Sequence, residues 1–125
     1  MWKGKEQNGR LVLLVDDDRS VREALSDLLA VEGYSVLEAE NGLTALALLK
    51  SGPHFPFVIL LDLVMPVMDG DRFLELRAED PMLSRIPVVV ISGNLPSREL
   101  DGMDTYLRKP VDLDRLLETI AAASG

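Results

Sequence analysis

The stretch VILLDLVMPVMDG, residues 58–70, sets the architecture of the whole chain. Residues 57–61 are apolar throughout and mostly β-formers, which is the composition of a strand covered on both faces. Such strands belong to parallel sheets. The run stops on Asp62, and a loop containing Pro66 and Gly70 follows before Asp71 opens a helical pattern. A carboxylate thus emerges at the C-terminal end of a buried strand, beside the crevice where open α/β sheets bind ligands.

The same alternation extends in both directions. Upstream, residues 11–15 form an apolar strand that runs into Asp16, Asp17 and Asp18. Val21, Ala24, Leu25, Leu28 and Leu29 then recur at helical spacing, with Asp18 as the cap and Gly33 as the stop. Residues 35–38 make a short second strand, and Asn41 caps a helix that carries Leu43, Leu46 and Leu49 as far as Lys50, where Ser51-Gly52-Pro53 breaks it. Downstream, Phe73, Leu74 and Arg77 begin a third helix that stops near Asp80-Pro81. Residues 86–91 are a fourth strand leading to Ser92, and residues 105–107 a fifth leading to Lys109-Pro110. The last helix runs from about Asp112, with Leu113, Leu116, Leu117 and Ile120 on one face.

Five strands alternating with helices predict a doubly wound, flavodoxin-like α/β domain with a parallel sheet in the order 2-1-3-4-5. Residues 11–123 form this domain, and the polar residues 1–10 are expected to be a flexible arm. Sixteen residues separate Ser92 from Lys109, too few for a full crossover helix. The helix between strands four and five is therefore expected to be shortened, starting near Pro96 and stopping near Gly102.

Composition narrows the function classes. A chain of 125 residues can bury one core, and 47% hydrophobic with 27% charged residues is ordinary globular composition. The formal net charge of -8 argues against direct nucleic-acid binding and against acidic membranes, and favours protein partners or cations. There is no cysteine, hence no disulfide framework or thiolate zinc site. The apolar runs are strand-length and the N-terminus has no apolar core, so neither a signal peptide nor a membrane span is expected and the location points to the cytoplasm.

The predicted topology gathers the chemistry. Asp16 and Asp17 follow strand one, Asp62 strand three, Ser92 strand four and Lys109 strand five, whereas strand two, at the edge, offers nothing obvious. Carboxylates about 5 Å apart repel by roughly 3 kcal/mol per pair at an effective dielectric of about 20. Lys109 can offset one charge, and a divalent cation the others; oxygen-only ligands favour magnesium over zinc. An exposed aspartate, a hydroxyl, a lysine and such a cation suit phosphoryl transfer, with the aspartate as nucleophile.

The motifs VDDD at residues 15–18, DLVMPVMDG at 62–70, VVVISG at 88–93 and YLRKP at 106–110 together resemble the receiver domain of two-component response regulators, over most of the chain. The resemblance implies a stand-alone receiver in which Asp62 accepts a phosphoryl group from a histidine kinase or phosphotransfer protein and the chain then signals to a downstream protein target. It implies that Asp16, Asp17, Asp62 and the backbone carbonyl of Val64 bind Mg2+, and that Lys109 and Ser92 contact the phosphoryl oxygens. Tyr106 falls at the switch aromatic, Val64 and Asn94 at positions that influence hydrolysis, and Lys109-Pro110 at a cis peptide. By the same resemblance the chain is no conventional enzyme, although it promotes its own phosphorylation and dephosphorylation.

Competing assignments have less support. On its own, the Asp16 to Asp18 run is a common solvated helix start; Asp62 and Lys109 turn it into a site. A phosphorylation-independent scaffold would show erosion at Asp62, Lys109 or the acid pair, and all stand intact. A magnesium-dependent phosphohydrolase would want a second acid two residues after Asp62, where Val64 stands. Met65 and Met68 read as loop packing, and His54 has no ligand partners nearby in sequence.

Overall fold

Five parallel strands, β1 (Glu6–Val15), β2 (Ser35–Ala39), β3 (His54–Asp62), β4 (Val88–Ser92) and β5 (Thr105–Arg108), lie in the order β2-β1-β3-β4-β5. This is the expected doubly wound sheet. The computed structural model describes residues 6–51, 54–63, 68–93 and 105–123. Within them the helices are α1 (Arg19–Val31), α2 (Gly42–Ser51), α3 (Gly70–Glu79) and α4 (Leu113–Ala123), with a 3-10 turn over Leu83–Arg85. The shortened helix expected between strands four and five, with Asn94, Pro96 and Gly102, falls on residues 94–104, outside the described residues; so does Val64.

Period-two alternation divides the central strands between two cores. Leu13, Val15, Ile59, Leu61, Val88 and Val90 face one way, against Ala45, Leu46 and Leu49 of α2 and Phe73 and Leu74 of α3. Val12, Leu14, Val58, Leu60, Val89 and Ile91 face the other, against Leu29 of α1 and Leu116 and Ile120 of α4. A strand buried on both sides has no polar face to show. That is why the runs at residues 11–15 and 57–61 are unbroken.

Asp18 and Asn41 cap where the sequence puts them, and Asp112 caps α4. Asp18 accepts from the Val21 N–H at 3.2 Å, Asn41 from Thr44 at 2.8 Å, and Asp112 from Arg115 at 3.3 Å. Gly33, at φ +90°, ends α1 in the left-handed region.

The N-terminal segment differs from the expectation. Residues 6–10 are not a loose arm, because β1 begins at Glu6 and residues 6–8 pair with residues 54–56 of β3, followed by a register shift before Val12. Arg10 supplies the anchor. Its guanidinium lies 4.2 Å from the Tyr34 ring centroid, and donates to the Glu32 carbonyl at 2.9 Å and to the Gly33 carbonyl at 3.2 Å. A polar segment can be ordered by cation–π and backbone contacts without an apolar pattern of its own. β4 also starts later than residue 86, since the 3-10 turn ends at Arg85 and the Ile86 N–H bonds back to Leu83 at 3.1 Å. None of the described helices is long and apolar enough to cross a membrane.

Candidate functional site

The strand order places the C-terminal ends of β1, β3 and β4 side by side, and their terminal residues converge. Asp62 is in register with Ile91, so Ser92 lies one residue beyond it on the neighbouring strand. Carboxylate oxygens of Asp16, Asp17 and Asp62 all lie within 4.8 Å of one another. Asp16 and Asp62 are buried, and Asp17 is exposed. Acids from the ends of two strands thus converge on one spot.

Lys109 enters from the far end of β5. Its Nζ stands 3.1 Å from Asp16 Oδ2 and 3.4 Å from Asp62 Oδ2. Burial works against the ammonium, but hydrogen bonds and Coulomb attraction, led by Asp16 and followed by Asp62, outweigh it and hold the Lys109 pKa above its ordinary 10.5. The backbone helps to aim it. The Lys109 N–H donates to the Ser92 carbonyl at 2.8 Å, the Tyr106 hydroxyl donates to the same oxygen at 3.3 Å, and the Lys109-Pro110 peptide is cis, as expected from the resemblance.

The donor set fits a hard divalent cation. Every acidic ligand is oxygen, and three carboxylates against one ammonium leave two negative charges for a dication to balance. Asp16, Asp17 and Asp62 would hold such an ion. The Val64 carbonyl, the fourth ligand expected, is outside the described residues, as is Asn94. Ser92 is buried at the end of β4 beside Asp62, and Tyr106 is half-buried against the α2–α3 core.

Two contributions escape a reading of the sequence. β2 is not idle, since its Ala39 carbonyl accepts the Asp16 N–H at 3.1 Å. Arg22 in the first turns of α1 donates to the Asp16 carbonyl at 2.8 Å and pairs with Glu38 of β2 at 3.3 Å. Neither residue belongs to a motif; only the packing of α1 across β1 and β2 joins them.

Comparison with known proteins agrees with this geometry. The family description "Response regulator receiver domain" matches residues 12–121. The chain is similar to protein PilH of Pseudomonas aeruginosa, 36% identical over 118 residues, covering 89% of this chain and 94% of PilH. It is similar to the polar-differentiation response regulator DivK of Brucella anthropi, 29% identical, covering 91% of this chain and 95% of DivK. Among solved structures it resembles the Vibrio cholerae chemotaxis protein CheY4, with a TM-score of 0.81 at 28% identity, covering 90% of this chain and 97% of that one.

Proposed function

The chain belongs to the response regulator receiver domain family, and from that membership we propose that Asp62 accepts a phosphoryl group from a phosphohistidine on a histidine kinase or phosphotransfer protein. A carboxylate oxygen of Asp62 attacks phosphorus, the phosphorus–nitrogen bond breaks, and the departing imidazole recovers a proton from solvent. The observation that carries this reading is the cluster of Asp16, Asp17 and Asp62 at the C-terminal ends of the strands, with the Lys109 ammonium paired to Asp16 and Asp62. Phosphoryl transfer needs chiefly positioning and charge neutralisation, and such a cluster supplies both.

Each side chain has a defined part. Asp16 and Asp17, with Asp62 and, by the resemblance, the Val64 carbonyl, would hold Mg2+, which when bound would supply charge neutralisation for the phosphoryl oxygens. Lys109, already 3.4 Å from Asp62 Oδ2, turns to a phosphoryl oxygen as the carboxylate becomes an acyl phosphate, a mixed anhydride. The Ser92 hydroxyl donates to another. Because Tyr106 bonds the Ser92 carbonyl, a shift of Ser92 toward the phosphoryl group is passed to the aromatic ring and from there to a downstream protein target. Val64 and Asn94 lie two residues beyond Asp62 and Ser92, at positions that in the receiver family influence attack by water; an apolar Val64 offers that water no hydrogen bond, which favours a long-lived phosphoryl group.

Metal dependence tests the reading. Incubation with a small phosphodonor should add one phosphoryl group in the presence of Mg2+ and none with excess chelator, because the acids repel an incoming phosphate until they are neutralised. Labelling that is indifferent to chelator would count against it.

A further inference from the structure

Asp16 sits at the turn from β1 into α1, nearly excluded from solvent at 3% exposure. Four hydrogen bonds fix it. Its N–H donates to the Ala39 carbonyl at 3.1 Å, its Oδ1 accepts the Asp18 N–H at 2.9 Å, and its Oδ2 accepts the Lys109 ammonium at 3.1 Å. The fourth falls on the backbone carbonyl, which takes a guanidinium N–H of Arg22 at 2.8 Å. Arg22 is held in turn from two sides: its own N–H donates to the Asp18 carbonyl at 3.0 Å, and its Nε to Glu38 at 3.3 Å. Arg22 therefore closes a bracket around the acidic run. Asp17 lies between its two points of attachment.

We propose that Arg22 is a positioning residue for the cation site, holding the Asp16 carbonyl so that the carboxylates of Asp16 and Asp17 face Asp62. This rests on the reading of Asp16, Asp17 and Asp62 as cation ligands. The side chain is only 14% exposed, so its fork is committed to these partners rather than to water. Without Arg22 the Asp16 carbonyl loses that donor, and the turn is held by three of its four bonds. Residues that orient ligands through such bonds commonly change metal affinity by about 10- to 100-fold when removed.

The sign of the effect separates position from charge. A guanidinium bonded to the Asp16 backbone carbonyl stands close enough to the site to repel an incoming cation, so if Arg22 acted only through its charge, removing it would tighten Mg2+ binding. Positioning has the opposite sign.

Isothermal titration calorimetry with MgCl2 on the wild type, Arg22→Met and Arg22→Lys decides between them, with circular dichroism to verify folding. Arg22→Met should bind Mg2+ about tenfold more weakly than the wild type. Arg22→Lys keeps the charge but cannot reach both Asp16 and Glu38 through one fork, so it should be weakened severalfold. Tighter or unchanged binding by Arg22→Met overturns the proposal; should that variant not fold, wild-type affinity in Arg22→Lys overturns it. A wild type that takes up no Mg2+ overturns the cation site itself, and this inference with it.

Discussion

The Tyr106 hydroxyl lies 3.3 Å from the Ser92 main-chain oxygen, linking β5 to the end of β4 one residue past the level of Asp62. In the proposed function that bond carries the response from Ser92 to Tyr106. Tyr106→Phe keeps the ring against the α2–α3 core and removes only the donor. It should cost about 0.5–1.5 kcal/mol in urea unfolding, and it should reduce the spectral change that accompanies phosphorylation. A variant with wild-type stability and response would separate Tyr106 from the switch.

Lys109→Ala should separate metal binding from signalling. The ammonium that opposes Asp16 and Asp62 disappears, so the acids bind Mg2+ at least as tightly as before, and Mg2+ raises the melting temperature more than in the wild type. The phosphorylated variant should nevertheless keep the spectrum of its unphosphorylated form. Spectra that change as the wild type's do would show that Lys109 is not the link.

The charge on Lys109 also predicts a pH dependence for the metal-free chain. Its folded-state pKa is raised above 10.5, so its contribution to stability is fully present below that value and is lost as pH rises through the raised one. The urea midpoints of wild type and Lys109→Met, measured in chelator, should differ by a constant amount through neutral pH and converge in strong alkali. A gap that closes well below pH 10.5 would contradict the ion-pair geometry.

Much of the fold is legible in the sequence because the central strands are buried on both faces, and an unbroken apolar run such as residues 57–61 suits little but a covered strand. The convergence of Asp16, Asp62, Ser92 and Lys109 is legible because each ends a strand or directly follows one, and Asp17 comes with Asp16. The ordering of residues 6–10 is not, since Arg10 is anchored by Tyr34 and two carbonyls more than 20 residues away, and no local pattern records that. Arg22 is hidden for the same reason. The buried stripe of α1 is narrower than its apolar spacing implies, as Leu29 is fully buried while Leu28 is 41% exposed; the helix turns only part of its apolar face to the sheet. Arg77, placed by its spacing in the third helix, is in fact buried and donates to the carbonyls of Ser84 and Ile86, fixing the approach to β4.

Gly70 is a position where no side chain fits. Its N–H donates to the Leu63 carbonyl at 2.8 Å, and an added Cβ would meet Leu63 Cα at 2.7 Å and the Asp62 carbonyl at 3.1 Å. Gly70→Ala must therefore push the backbone that follows Asp62. We expect a loss of about 1–3 kcal/mol in stability, with slower phosphorylation at saturating Mg2+. Unchanged stability and rate would mean that the neck of this loop yields at no cost.

The central claim, that Asp62 is the phosphoacceptor, is tested most directly by intact-protein mass spectrometry of the wild type and Asp62→Asn after incubation with Mg2+ and a small-molecule phosphodonor. The wild type should gain the mass of one phosphoryl group, and Asp62→Asn should gain none. A wild type that gains none, or an adduct of equal yield on Asp62→Asn, would contradict the account.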